Sequence, residues 1–181
     1  TTFKLIFEHL QNAVFYPNYQ FTATPAQQYS ASIPSNSIPW NLTSIHADWL
    51  WEKGLTGKGI HLAVLDTGVD GNHKALQNKI INFVYIDRNG AVIKEPQSYD
   101  TDTHGTHVSG IVAGGSVEKP LGVSPDSKLS VGVVIPGGSG AFSQILGGLE
   151  WVLDPDQNPA TPDTPRAVNL SLGAPGYMNI W

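Results

Sequence analysis

Cysteine is absent from the 181 residues, which excludes a disulfide framework, a thiolate metal site and a cysteine nucleophile. Methionine occurs once, as Met178, the chain opens on Thr1, and no leader of basic, apolar and small-residue regions is visible at its front; a gene fragment, a cleaved chain and a degenerate paralogue are all compatible with this. Charge is sparse at 14%, with 15 acidic against 10 basic residues and a net charge of −5. That balance makes nucleic acid and anionic membrane surfaces poor partners. No apolar run reaches the roughly 18 residues that a spanning helix needs. What remains is 40% hydrophobic residues, enough for a core and too many for a disordered chain. The length suits one domain, and 19 glycines with 13 prolines imply many turns.

The text changes character near residue 40. Phe3–Leu10 has Phe3, Ile6, Phe7 and Leu10 at helical spacing. Tyr16–Pro39 is Pro, Gln, Ser, Asn and Ala with scattered aromatics, read as an extended connector on a surface. Residues 1–40 are thus an extension and 41–181 the ordered part. In the latter, helix Ile45–Lys53 is expected with Ser44 as its N-cap, then strand Ile60–Leu65, nearly all apolar. Strand Ile80–Ile86 follows. Helix His104–Gly114 carries Val108, Ile111 and Val112, with Gly105, Gly110 and Gly114 leaving room for close packing. Strand Leu129–Ile135 precedes helix Ala141–Leu153, whose stripe is Phe142, Ile145, Leu146, Leu149, Val152 and Leu153. A Pro- and Asp-rich loop over Asp154–Pro165 leads to strand Ala167–Leu172. Strands alternating with helices predict an α/β fold: a three-layer, mostly parallel sheet with helices on both faces. In such sheets ligands bind beyond the carboxyl ends of the strands.

Asp66 closes the first buried strand, where a carboxylate is costly unless a donor faces it; a turn Asp bracing its own backbone is the plainer account. His104 opens a helix, a place where the dipole favours anions rather than imidazolium; an exposed histidine at a helix start is its plainer account. His107 lies three residues on, but the zinc-hydrolase His-Glu-x-x-His pattern and a third ligand are missing, so no metal is expected. Together Asp66 and His104 supply two members of a hydrolytic triad, in which an acid holds the imidazole that deprotonates a nucleophile.

Three ordered blocks resemble the subtilisin-like serine proteases (subtilases). Ala63–Asp70 is similar to the block around that family's catalytic Asp, and His104–Gly114 to its catalytic His block, in which the first His is the base. Val168–Gly173 is similar to the strand lining its substrate cleft, and Gly138-Ser139-Gly140 with the helix through Trp151 falls in matching order. The resemblance spans about residues 41–177. It implies an acyl-enzyme mechanism on peptide bonds, with Asp66 accepting the Nδ1 proton of His104. An extended peptide or protein substrate would lie between Gly138–Gly140 and Ser171-Leu172-Gly173, held as an added strand. Phe142, Ile145 and Leu172 would form an apolar subsite, with plain core packing the alternative. It implies secretion, and no cofactor.

The sequence departs from the family pattern at telling places. No Gly-Thr-Ser-Met-Ala-like segment supplies the serine, and the block with the oxyanion Asn is missing. The expected molecule is an incomplete, N-terminal part of a subtilisin-like catalytic domain, inactive by itself. The family's calcium position reads Ala75, and the loop after the His helix is Ser116–Pro120 without its Asn pair, so that site is expected to be lost. Ala13–Tyr19 resembles the last strand of a subtilase prodomain, which makes the chain's own prodomain a second expected partner; an ordinary extension is the alternative. Asn41-Leu42-Thr43 and Asn169-Leu170-Ser171 fit the glycosylation pattern, the second in a buried strand. Competing functions are a pseudoprotease that only binds peptides, an aspartic protease built on Asp66-Thr67-Gly68 with Ile145-Leu146-Gly147, and a nucleotide-binding α/β domain lacking its glycine-rich turn.

Overall fold

The computed structural model describes residues 18–24 and 38–174. The expected helix at Phe3–Leu10 and most of the Ala13–Tyr19 segment lie outside them. Two sheets organise the rest. The larger has five strands: β2 (His61–Asp66), β3 (Ile80–Ile86), β4 (Val92–Lys94), β5 (Lys128–Val133) and β7 (Val168–Asn169), in the order β4-β3-β5-β2-β7. The β3–β5, β5–β2 and β2–β7 pairs are parallel, and β4 adds an antiparallel edge.

Strand β2 is an inner strand, between β5 and β7, and both its faces are apolar. Ala63 and Leu65 join one core cluster with Val84, Ile86, Ile145, Trp151 and Val152. Val64 joins the other with Val108, Ala113, Leu129 and Val131. Helix α4 (Phe142–Leu153) therefore covers one face and helix α3 (His104–Ala113) the other, the expected three-layer α/β arrangement.

Several boundaries and faces differ from expectation. Instead of one helix at Ile45–Lys53 there are two, α1 (Trp40–Ser44) and α2 (Ala47–Glu52), parted by His46 in the left-handed region at φ 58°. Ser44 does not cap: its hydroxyl, like that of Thr43, bonds back to the Trp40 carbonyl. In α4 the stripe is rotated. Leu146 and Leu153 are exposed, while Trp151 is buried. Gly147 and Gly148 set that rotation, since a Cβ on the first would lie 2.2 Å from the Gly90 carbonyl and on the second 2.6 Å from Val134. In α3, Ile111 is exposed, and Gly110 has open space rather than a close neighbour.

The largest corrections concern both ends. Ala167–Leu172 is not one strand: β7 leaves the large sheet after Asn169, and β8 (Leu172–Gly173) belongs to a second sheet. Nor is Tyr16–Pro39 merely a surface connector. Its residues Gln20–Ala23 form β1, the middle strand of that second sheet, antiparallel to β6 (Ser139–Ala141) on one side and to β8 on the other.

Candidate active site

The strand that buries Val64 and Leu65 ends on Asp66, so its carboxylate is fully buried at the C-terminal edge of the sheet. The chain then turns at Gly68 and makes a short antiparallel bridge to residues 99–101. That bridge brings the start of α3 over Asp66. His104 Nδ1 lies 2.7 Å from Asp66 Oδ1, with 10% of the imidazole side chain exposed. Against an ionised carboxylate, which can only accept, Nδ1 carries the proton and Nε2 is the unprotonated ring nitrogen.

Asp66 Oδ1 also accepts from the Thr67 amide at 2.7 Å, while Oδ2 is buried without a partner among the described residues. Burial pushes the Asp66 carboxyl above its ordinary value, against the opposing pull of the hydrogen bonds from His104 and Thr67.

The first amides of α3 have no partner within the helix and are met by side chains from outside. Asp102 Oδ1 accepts from His104 N at 3.3 Å, Thr67 Oγ1 from Gly105 N at 2.8 Å, and Asp100 Oδ2 from Thr106 N at 2.7 Å. The Thr67 hydroxyl in turn donates to Asp100 Oδ1 at 2.7 Å. Helix and strand can approach this closely because residue 105 is glycine: a Cβ there would fall 2.1 Å from the Gly68 carbonyl oxygen. Thr101 extends the network, donating to the Thr67 carbonyl at 2.6 Å and accepting from Gly137 N at 2.9 Å. Sequence reasoning missed Thr67, Asp100, Thr101 and Asp102. The one available signal was three oxygen-bearing residues, Asp100-Thr101-Asp102, just ahead of the helix.

The expected substrate segments flank one slot. Gly138 lies in a 3-10 turn over Pro136–Gly138, Ser139 and Gly140 in β6, and Leu172 and Gly173 in β8, with Ser171 just before it. The slot is filled by the chain itself. Gln20 pairs with Ala141, Phe21 with Gly140 and Thr22 with Ser139, while Thr22 and Ala23 pair with Gly173 and Leu172. Thr24 N donates to the Ser171 carbonyl at 3.1 Å, and Phe142 N to the Tyr19 carbonyl at 2.8 Å. Phe142 stacks on Phe21 with ring centroids 5.8 Å apart. Ile145 is a core residue, and Phe21, Ala23 and Leu172 pack against the cluster that contains it.

Metal chemistry finds little here. His107 is exposed on α3 and belongs to no three-ligand group among the described residues. The cavity of about 670 Å³ bounded by Asn72, His73, Lys74, Ala75, Gly115, Ser116, Lys119 and Leu121 has two lysines, a histidine and no carboxylate in its wall, a donor set unfit for a hard cation. Among the described residues Asp154, Asp156 and Asp163 do cluster, but their oxygens accept from amides of their own loop. No helix among the described residues is long and apolar enough to cross a membrane.

The subtilase family model matches residues 57–179. The major intracellular serine protease of Bacillus subtilis (strain 168) is 35% identical over 146 residues, covering 77% of this chain and 42% of the relative. Subtilisin Savinase of Lederbergia lenta is 37% identical over 145 residues, covering 78% and 47%. An alkaline protease of Alkalihalobacillus alcalophilus is 37% identical over 145 residues, covering 78% and 33%. The chain thus spans less than half the length of these relatives. The parallel sheet, the paired carboxylate and imidazole at its edge, and these matches lead to one assignment: the chain belongs to the subtilase family of serine proteases.

Proposed function

We propose that this chain is the acid–base half of a serine endopeptidase, with Asp66 orienting His104 and His104 serving as general base and then general acid. The observation that carries the reading is the 2.7 Å bond from His104 Nδ1 to a fully buried Asp66. That bond fixes the tautomer in which Nε2 can take a proton from a hydroxyl. The nucleophile is a serine from a segment not contained in these 181 residues, so the chain alone has no peptidase activity. Its substrate is an extended peptide or protein segment, held by backbone bonds between Gly138–Gly140 and Ser171–Gly173. Support comes from β1, an extended segment bonded to both rims at once. Residues 18–24 act as a prodomain-like tail that fills this groove. The calcium position of the family is lost here, in keeping with a basic cavity wall at Lys74 and Lys119.

The aspartic protease alternative does not survive. It needs an Asp that shares a water with a second Asp on a mostly β fold, whereas Asp66 is sealed against a histidine in an α/β sheet. A fluorophosphonate probe separates the rest. The 181-residue chain is expected to stay unlabelled, while a protein carrying the same chain plus the serine segment labels in a His104-dependent way. Acylation of the short chain would overturn the assignment of the nucleophile. Absence of labelling in the longer protein would favour a pseudoprotease.

A further inference from the structure

The cavity between residues 72–75 and 115–121 carries charge of one sign in its wall, and the backbone holds that wall in shape. Gly115 N donates to the Ala75 carbonyl at 2.9 Å, which ties the two loops together. The second loop also closes on itself. Ser116 N donates to the Lys119 carbonyl at 3.1 Å, and Lys119 N to the Ser116 carbonyl at 3.2 Å. Gly115 lies in the left-handed region at φ 82°, and a Cβ on it would fall 2.2 Å from the Lys119 carbonyl oxygen. Lys119 is therefore set in place by a turn that needs glycine.

Lys74 and Lys119 line the cavity of about 670 Å³ from its two sides. Neither ammonium has a hydrogen-bond or ion-pair partner among the described residues. Lys79 and Lys128, by contrast, bond the carbonyl oxygens of Pro125 and Asn78. His73 adds a donor to the wall: its Nδ1 accepts from Ala75 N at 3.3 Å, so the ring proton lies on Nε2. The acids that adjoin these loops in sequence are engaged elsewhere. Asp70 Oδ1 accepts from Asn72 N at 3.0 Å and Glu118 Oε2 from the Ser116 hydroxyl at 2.7 Å, and neither residue lines the cavity. In a chain of net charge −5, two unpaired ammonium groups thus face one depression with no carboxylate to answer them.

We propose that this cavity binds a small polyvalent anion, which bridges the two loops. The proposal stands apart from the serine-protease reading. Where the family resemblance expects a calcium ion, the charge of the wall calls for a ligand of opposite sign. A single ion pair at an exposed lysine is weak, so a monovalent anion gains little here. An anion with charged oxygens a few ångströms apart engages both ammonium groups and the imidazole N–H at once, through charge-assisted bonds. The cavity is larger than one phosphate or acetate, which favours linked phosphates or a polycarboxylate.

Isothermal titration calorimetry of the 181-residue chain at constant ionic strength tests this, with pyrophosphate and citrate as separate probes. At least one of them is expected to bind at a single site, and which one binds tells a phosphate source from a carboxylate source. The same probe should raise the thermal unfolding midpoint, because it binds the folded chain. Lys74→Gln and Lys119→Gln are each expected to weaken binding at least about tenfold, the loss of one bond between charged partners. Both side chains are exposed and outside the core clusters, so the variants keep the packing of the parent. Ala75→Asp, which puts a carboxylate in the wall, should weaken binding as much. Lys53→Gln, outside the wall, should bind like the parent. The proposal is overturned if neither probe binds, if either wall-lysine variant binds as tightly as the parent, or if Lys53→Gln loses as much as they do. It is equally overturned if calcium chloride raises the unfolding midpoint of the parent and the two probes do not.

Discussion

Asp66 is under two opposed demands, burial at the end of an apolar strand and ionisation against His104. Its raised pKa means that an unfolded Asp66 gives up its proton before a folded one does. Between the two values the unfolded state binds fewer protons, so this residue's contribution to stability falls as pH rises. Asp66→Asn removes that fall. The variant's stability relative to the parent should therefore improve from acid to neutral pH in urea titrations. In a serine-complete protein the same substitution should lower kcat by about 10⁴, through loss of the correct tautomer. Asp66 and His104 stand out in the sequence because Ala63–Asp70 and His104–Gly114 resemble subtilase blocks; a strand-end Asp and a helix-start His have plainer structural accounts by position alone. Thr67 and Asp100 do not stand out, because their hydroxyl and carboxylate meet partners 33 and 38 residues away, a distance over which no periodicity operates.

At the scale of elements, the site depends on how closely α3 approaches the end of β2. Gly105→Ala would drive a methyl group into the Gly68 carbonyl oxygen, a backbone atom that cannot swing aside. A loss on the order of 3 kcal/mol is expected, read as a lower denaturation midpoint, together with weaker His104–Asp66 coupling. The central strands and the two long helices follow from hydrophobic period. The β3–β4 hairpin was missed although Asn89-Gly90 between apolar runs is a turn signal. The division of Ala167–Leu172 between two sheets could not be read at all. Both halves look like one apolar strand, and only the position of β1 decides where the second half pairs.

For the whole molecule, His61 ties three strands and a loop together at the edge opposite the dyad. Its Nε2 lies 2.7 Å from Ser130 Oγ, which also accepts from Asn82 Nδ2 at 2.9 Å. The Ser130 hydroxyl must then donate to a neutral imidazole. Burial lowers the His61 pKa, against the pull of the Asp163 backbone carbonyl and carboxylate. The unfolded state therefore binds more protons below the ordinary imidazole value, and global stability should fall as pH drops from 6.5 towards the folded value. His61→Gln should flatten that part of the stability–pH curve, as measured by chemical denaturation at closely spaced pH values.

Strand β1 has a further consequence for how the molecule is made. Gln20 is separated from Ser139 by 119 residues, and Thr22 pairs as far away as Gly173. A ribosome releases this strand early and its two neighbours late, and closing so long a loop is slow. The strand is thus made before either of its partners: until Ser139–Ala141 has emerged it has neither neighbour, and until Gly173 has emerged it is paired on one side at most.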